Sequence, residues 1–453
     1  MKKIIFSVLV FGASMSNAQE ITKDSIKTIS IDSLQQAINL HQMKFDALNE
    51  QLSPLQAQVD KMSKLKISGY MQVQYETYNY QDVPTANGPL QLKPGASETN
   101  IPLSTVPVDI TNSFLIRRAR IKFTYEPAEG VIFVLQPNFS FSAVTLKDAY
   151  VQLNDPWLNT FQLWVGQFNR PDYEVEFSSK NRILMERSRM SGILYPQERD
   201  LGAKLAANFA PHYNLPLNVE LAVFDGNFGE GAIGNQTSDV DSEKDVMLRT
   251  YYSLNLPDSG LGIDFGASGY YGKNTVFVAG EFSDVNSSPF TAEVGDKLKK
   301  QWLGTELQVY YDVLGGIALK SECNFGTISG EANATGVLNN NPGFNFSAVR
   351  DFIGYYVTLE KNVGAKNQAA IRLDSWDPNR KLSGNEVTAA QDLRVNTWSF
   401  AWQYFFTETT KIGLGYSMPI NETSTSITTE GVGDLYTSDV KNNTWTLRFQ
   451  ASF

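Results

Sequence analysis

The sequence predicts an all-β protein, a 16-stranded antiparallel transmembrane β-barrel preceded by a short periplasmic coiled-coil helix. Three observations predict it. A secretion signal opens the chain, apolar and polar residues alternate through most of the remainder, and the alternating segments are joined by connections that are short and long in turn. The final nine residues, Trp445 to Phe453, show the alternation most clearly and end on an aromatic of the apolar set. A strand places successive side chains on opposite faces, so each such segment has one apolar and one polar face. Recurrence of that pattern between polar connections is the signature of a membrane barrel.

Lys2 and Lys3 precede an apolar run from Ile4 to Phe11, and Ser16-Asn17-Ala18 supplies small residues at a signal-peptidase spacing. Residues 1–18 are expected to be removed, leaving Gln19 at the new terminus. The run is too short to span a bilayer, and no later stretch reaches the roughly eighteen apolar residues of a membrane helix. No cysteine follows the cleavage site; Cys323 stands alone and cannot form an intramolecular disulfide.

Residues 19–65 form the expected periplasmic segment. Ile31, Ile38, Phe45, Leu52 and Val59 occupy one heptad position and Leu34, Leu48, Leu55 and Met62 the other, with only His41 breaking the second series. A sustained seven-residue repeat implies a left-handed coiled coil, an oligomerisation device that points to a homotrimer. Ser53-Pro54 interrupts it, and Ser53 caps a restarted helix. A single amphipathic helix packed on the protein is the alternative.

The barrel is expected over 66–453. Ile67, Gly69, Met71, Val73 and Tyr75 face lipid while Ser68, Tyr70, Gln72, Gln74 and Glu76 face inward; Leu115, Ala119, Ile121, Phe123 and Tyr125 alternate with Arg118, Arg120, Lys122 and Thr124. Further strands are read at about 130–141, 145–153, 160–168, 199–209, 215–225, 246–255, 261–271, 301–311, 316–326, 352–361, 366–375, 394–405, 409–418 and 442–453. The long connections are 81–112, 169–198, 226–245, 272–300, 327–350, 376–393 and 419–441, with one short exception near 142–145. Between them lie brief turns such as Asn154-Asp155-Pro156 and Pro257-Asp258-Ser259-Gly260. An even strand number puts both termini on the periplasmic side of a bacterial outer membrane, in contact with its lipid and lipopolysaccharide.

The strand Leu115-Ile116-Arg117-Arg118-Ala119-Arg120-Ile121-Lys122-Phe123 carries a doubled arginine. With it stand Trp164-Val165-Gly166-Gln167-Phe168-Asn169-Arg170-Pro171, then Arg199-Asp200-Leu201-Gly202 and the closing Leu447-Arg448-Phe449-Gln450. Together these segments resemble the phosphate-selective porin O/P family of outer-membrane porins across essentially the whole barrel. The resemblance implies a trimeric, sixteen-stranded channel for small anions, phosphate among them, and some members carry an amino-terminal coiled coil.

Read from the residues themselves, Arg118, Arg120 and Lys122 point inward from one strand as a ladder with rungs about 7 Å apart. The planar donor fork of arginine suits phosphate or carboxylate oxygens. Lys204, Arg249, Lys320, Arg372, Lys411 and Arg448 extend the cationic wall, while Glu76, Glu306, Glu322 and Asp374 also read as lumenal. Wide barrels are polar inside regardless, so cross-strand pairing of these charges is the plainer alternative. The connection 169–198 combines Arg170, Lys180, Arg182, Arg187 and Arg189 with Asp172, Glu174, Glu176, Glu186 and Glu198, and interleaves Ile183, Leu184, Met185, Ile193 and Leu194. Apolar content of that kind suits a loop folded inward as a constriction, or a subunit contact.

Other function classes fare worse. Without the two signal lysines the chain has 36 basic against 48 acidic residues, a balance of −12, which disfavours nucleic acid. The only histidines are His41 in the helix and His212 in a predicted turn, so neither a Ser-His-Asp arrangement nor a histidine metal site is expected; no enzyme, no cofactor and no metal are predicted. The acidic run Asp239-Val240-Asp241-Ser242-Glu243-Lys244-Asp245 lacks the glycine and final glutamate of a calcium loop; with Asp225 and Glu230 it occupies one loop whose sole cation is Lys244, an acidic rim expected to slow anion entry. The non-channel alternative is a structural barrel whose coiled coil engages periplasmic partners.

Overall fold

The structure is a computed structural model, and it describes residues 42–44, 63–79, 81–83, 90–93, 104–107, 112–140, 143–196, 198–226, 239, 241–276, 279–329, 349–388, 392–427, 435–439 and 442–453. The chain divides into two units between Ser63 and Lys64. Of the first, residues 42–44 and Ser63 are helical, and the heptads from Ile31 to Met62 otherwise lie outside the described residues.

The second unit is a closed barrel of sixteen antiparallel strands. In chain order they are β1 Leu65–Tyr78, β2 Asn112–Ala128, β3 Val131–Phe139, β4 Val144–Asn154, β5 Phe161–Asn169, β6 Arg199–Asn208, β7 Leu217–Phe224 and β8 Asp245–Leu256. They continue with β9 Leu261–Thr275, β10 Lys297–Tyr311, β11 Ile317–Ser329, β12 Val349–Val363, β13 Asn367–Asp377, β14 Val395–Phe405, β15 Thr410–Asn421 and β16 Thr444–Ser452. Each strand pairs with its chain neighbours, and β16 closes on β1 in the register Tyr70↔Ser452 to Tyr78↔Thr444. Closure leaves no edge with unpaired backbone groups, which is what a strand-built span of a hydrocarbon layer requires.

The seam is tightest at Gly69. Its N–H donates to the Phe453 carbonyl and its own carbonyl accepts from Phe453 N–H, both at 3.0 Å. A Cβ there would lie 2.6 Å from both the Arg120 carbonyl oxygen and the Phe453 ring, so glycine suits the close approach of the neighbouring backbone.

Burial follows the alternation. On β1, Ile67 and Met71 are exposed while Tyr70, Gln72 and Gln74 are buried, and on β16 Trp445 and Phe449 are exposed while Thr446, Arg448 and Gln450 are buried. Short connections of two to eight residues alternate with long ones, apart from the brief 140–143. The first long connection carries a three-stranded sheet, Gln81–Val83, Leu90–Lys93 and Ser104–Pro107, and another carries the hairpin Gly280–Ser283 with Pro289–Ala292, order that the irregular sequence there does not announce.

Two expectations need correction. Glu126-Pro127-Ala128-Glu129-Gly130 reads as a turn in the sequence, but strand β2 runs on to Ala128, so the turn is only Glu129-Gly130, with Gly130 at φ 77°. Leu115, expected on the lipid face, is displaced from it by a β-bulge: Gln72 pairs with Arg118 and Val73 with Ile116, leaving Arg117 unopposed. The extra residue reverses the alternation on its amino side, so Phe114 and Ile116 are exposed and Leu115, opposite the inward Gln74, turns inward.

Candidate functional site in the barrel lumen

The connection from Arg170 to Glu198 folds into the barrel and crosses its lumen. Its stem is set by charge: Arg170 Nη2 meets Asp200 Oδ2 at 2.7 Å and Arg199 Nε meets Asp148 Oδ1 at 2.7 Å, with Glu198 bound by Arg187 and Arg199. Asp172 caps the single turn Tyr173–Glu176, accepting from Val175 N–H at 3.1 Å. Ser188 caps the helix Arg189–Leu194, accepting from Ser191 N–H at 3.2 Å. The Glu174 carboxylate joins the two turns, receiving Ser188 N–H at 2.9 Å and Ser188 Oγ–H at 2.5 Å. Burial works against its ionisation, yet Arg372 and Arg182 hold its pKa below the ordinary value.

One wall of the lumen receives the loop on apolar surface. Met190, Ile193, Leu194 and Tyr195 pack with Phe168, Phe224, Met247, Tyr270, Trp302, Phe352, Tyr356 and Trp376, inward residues of β5, β7 to β10, β12 and β13. The rings form a continuous row: Tyr270 stacks on Trp302 at 3.8 Å, Trp302 meets Phe352 edge-on at 6.1 Å, and Phe352 stacks on Trp376 at 5.1 Å. Trp302 Nε1–H donates to Tyr195 Oη at 3.2 Å, so the buried indole keeps a partner. Gly354 provides the socket for Met190, since a Cβ there would lie 2.7 Å from Met190 Cγ.

Farther along the loop, Ile183 and Leu184 pack on Ala370 and Ala401, and Met185 lies against Gly413 and Gly415 of β15. The tip then meets the opposite wall, where β16, β1 and β2 adjoin. Tyr70 Oη and Ser179 Oγ are 2.7 Å apart, Gln72 Nε2 donates to the Ser179 carbonyl at 3.1 Å, and Gln450 Nε2 donates to the Lys180 carbonyl at 3.0 Å.

Glu186 is the centre of this wall. Arg117 binds it with both Nε (2.7 Å to Oε1) and Nη2 (2.8 Å to Oε2), Arg118 Nη2 lies 3.0 Å from Oε2, and Arg448 Nη2 lies 3.2 Å from Oε1. Burial raises the cost of the charged form, but the three guanidiniums hold the Glu186 pKa well below the carboxylate range. Arg118 and Arg448 are oriented by the neutral amides of Gln72 and Gln74.

The predicted site residues therefore separate into groups. Arg118, Arg120, Lys204, Arg249, Arg372 and Arg448 are all buried on the inner face. Arg120 reaches Asn138 at 3.3 Å and Ser179 at 3.5 Å; Lys122, on the same face, is half-buried. Lys204 pairs with Glu176 and Glu220; Arg249 pairs with those two and with Glu306, the last through both Nη2 at 3.0 Å and Nε at 3.1 Å. Lys320 pairs with Glu360 at 2.6 Å. Arg372 binds Glu174 at 3.4 Å and the carbonyls of Glu186 and Arg187 at 3.0 Å. Arg187 is directed back at its own loop, to the Glu174 and Val175 carbonyls. Arg189 is buried, and its N–H donates to Asp374 at 3.4 Å.

Arg182 and Lys180 differ. None of the three guanidinium nitrogens of Arg182 has a hydrogen-bond partner among the described residues, although the side chain is only 6% exposed. The Lys180 side chain lines a cavity of about 240 Å³ with Lys411, Gln450 and Ser452.

Sequence reasoning missed Arg117 and the role of Glu186. A signal for Arg117 existed: on a regular strand one of two adjacent arginines would face the outer, apolar side, so the pair hints at an irregularity that the register reveals as a bulge. The acidic loop also draws cations from outside itself. Lys244, its own cation, bridges Asp225 and Asp239, while Lys297 adds a pair to Glu243 at 3.2 Å and Lys300 one to the buried Asp245 at 2.8 Å. These lysines come from β10, and their pairing is invisible to a reading of one connection alone.

A search among curated proteins finds no match. Solved structures of similar fold include OprB of Pseudomonas putida at high pH, 11% identical with a TM-score of 0.56 over 88% of this chain and 96% of that one. The outer membrane channel DcaP of Acinetobacter baumannii is 12% identical with a TM-score of 0.49 over 86% of this chain and 97% of that one. An anion-selective porin from Comamonas acidovorans is 11% identical with a TM-score of 0.49 over 86% of this chain and 99% of that one. At such identities the OprB likeness establishes the barrel fold. Residues 95–296, which hold the doubled-arginine strand, Gly166-Gln167-Phe168 and Arg199-Asp200-Leu201-Gly202, match the family model of phosphate-selective porin O and P.

Proposed function

We propose that the protein is an outer-membrane porin, a water-filled diffusion channel that prefers small anions and is narrowed by the folded-in loop 170–198. The observation that carries this reading is the cationic wall of Arg117, Arg118, Arg120 and Arg448 facing the loop tip inside a closed barrel. An anion approaching that wall exchanges water for guanidinium contacts, and the buried Arg182, whose guanidinium nitrogens have no hydrogen-bond partner among the described residues, adds a charge on the loop itself that interacts with Glu174 and Glu186. The family's description supports phosphate as one such anion. Lys122, Lys180 and Lys204 belong to the same inner surface, as do Arg249 and Arg372, whose carboxylate partners moderate their pull on solute; Arg187 and Arg189 act within the loop.

In this reading the short turns and both termini face the periplasm, lipopolysaccharide surrounds the long connections, and residues 31–62 form the coiled coil that assembles a homotrimer. Passage of solute, not catalysis, is the activity. Planar-bilayer recordings test it: Arg118→Glu with Arg120→Glu should move the reversal potential toward cations. A folded barrel with no conductance would sink the channel reading and favour the structural one, which draws on the binding of the loop to both walls.

A further inference from the structure

We propose that Glu186 sets ionic selectivity at the constriction, acting as a built-in ligand in a seat of Arg117, Arg118 and Arg448 that otherwise binds the carboxylate or phosphate group of a solute. The geometry is that of a binding site already filled. Each Glu186 oxygen receives two donors, Oε1 from Arg117 and Arg448 and Oε2 from Arg117 and Arg118, at 2.7 to 3.2 Å. A planar two-oxygen anion held by a bidentate fork and two flanking guanidiniums is how arginine clusters recognise free carboxylates.

Charge leaves the seat unsatisfied by this one ligand, because three guanidiniums surround a single carboxylate. Their remaining contacts are largely neutral: Arg118 donates to Gln72, and Arg448 donates to Gln74 and to the Met185 carbonyl. The nearby Glu76 is bound instead to Gln74 and Tyr78. The seat is also reachable, since the side chains of Arg117 and Glu186 are 27% and 17% exposed.

Glu186 is tethered independently of its carboxylate. Its own carbonyl accepts from Arg372 Nη1 at 3.0 Å, and the adjacent Met185 sits against Gly413 and Gly415. The tether makes the internal carboxylate a competitor of high effective concentration, so a solute gains guanidinium contacts at this seat by displacing it. With the carboxylate removed and the tether kept, the same seat presents three uncompensated cations to the pore.

This inference rests on the channel reading for its consequence in conduction, and the seat is tested apart from it. In bilayers under a potassium chloride gradient, Glu186→Gln should raise the chloride-to-potassium permeability ratio at least threefold; a conducting variant with the wild-type ratio overturns the proposal. In detergent, Glu186→Ala leaves the seat open, and calorimetric titration with sodium acetate against sodium chloride at equal ionic strength should show saturable binding at least tenfold tighter than in wild type. Acetate binding no tighter than wild type, in protein that keeps the heat-modifiable migration of a folded barrel, also overturns it. If the wild-type barrel conducts nothing, the channel reading fails and the acetate titration alone decides the seat.

Discussion

Across the lumen, the wall from β7 to β13 meets the loop with Phe224, Met247, Tyr270, Trp302, Phe352 and Trp376, whereas the wall of β16, β1 and β2 meets it with Arg448, Gln74, Gln72, Tyr70, Arg117 and Arg118. Apolar contact is non-directional and scales with area, so the first wall holds the helix Arg189–Leu194 much as a domain core would. The second wall depends on direction and charge. Its strength lies in a few charge-assisted bonds converging on Glu186, and each can be exchanged for a bond to water or solute. One loop thus has a firmly packed root and a tip held by exchangeable bonds, the division of labour that the proposed constriction would use.

The comparison predicts unequal sensitivity. Trp302→Ala should be the most damaging change, costing about 3–5 kcal/mol as an unfilled cavity opens under Tyr195 and Tyr270, and limited proteolysis should then cut within 170–198. Resistance of the loop to protease in that variant would show that the apolar wall is not its root. Gly415→Val should come next. Its new side chain collides with Met185 Cγ, 2.5 Å from the Cβ position, and overpacking of roughly 1–3 kcal/mol should push the tip inward and lower single-channel conductance. Unchanged conductance would place Met185 outside the permeation path.

Arg448→Gln should cost less, about 0.5–1.5 kcal/mol, because Arg117 and Arg118 still hold Glu186; urea unfolding in detergent measures it. Combined with Trp302→Ala, it should add to within about 0.5 kcal/mol, since the two residues share no partner; a larger coupling would mean that root and tip yield together. The smallest effect is that of pH. A carboxyl whose folded pKa lies below its unfolded value of about 4.3 stabilises the fold above that value and loses its contribution as pH falls through the depressed one. Glu186 is such a group, so the difference in chloride-to-potassium selectivity between wild type and Glu186→Gln should stay level from about pH 5 to 8 and shrink only in stronger acid. A midpoint near neutrality would assign control to another residue.

Much of the barrel is legible in the residues alone. Alternation places Gln72, Gln74, Arg118, Arg120, Lys204, Arg249, Arg372 and Arg448 inside, and all are buried there. The apolar residues of 183–194 correctly announce a loop turned inward. The ladder reads more simply than it is. Arg118 and Arg448 meet a carboxylate 68 and 262 residues away, a relation that no local pattern encodes. The bulge at Arg117 is half legible, as a doubled arginine without an explanation.

By itself the sequence determined the features that short-range rules govern. A strand has period two, and a barrel wall separates two solvents, so the face of each residue and the rhythm of the connections can be read along the chain. Only the tertiary structure decided which cations are neutralised, which wall each part of the inward loop meets and where the alternation slips. Those outcomes depend on ring closure, which brings β16 beside β1 and β2, and on a loop long enough to reach both walls. An ion pair needs its charged atoms within about 4 Å of each other, so pairing is settled by three-dimensional proximity and not by position in the chain.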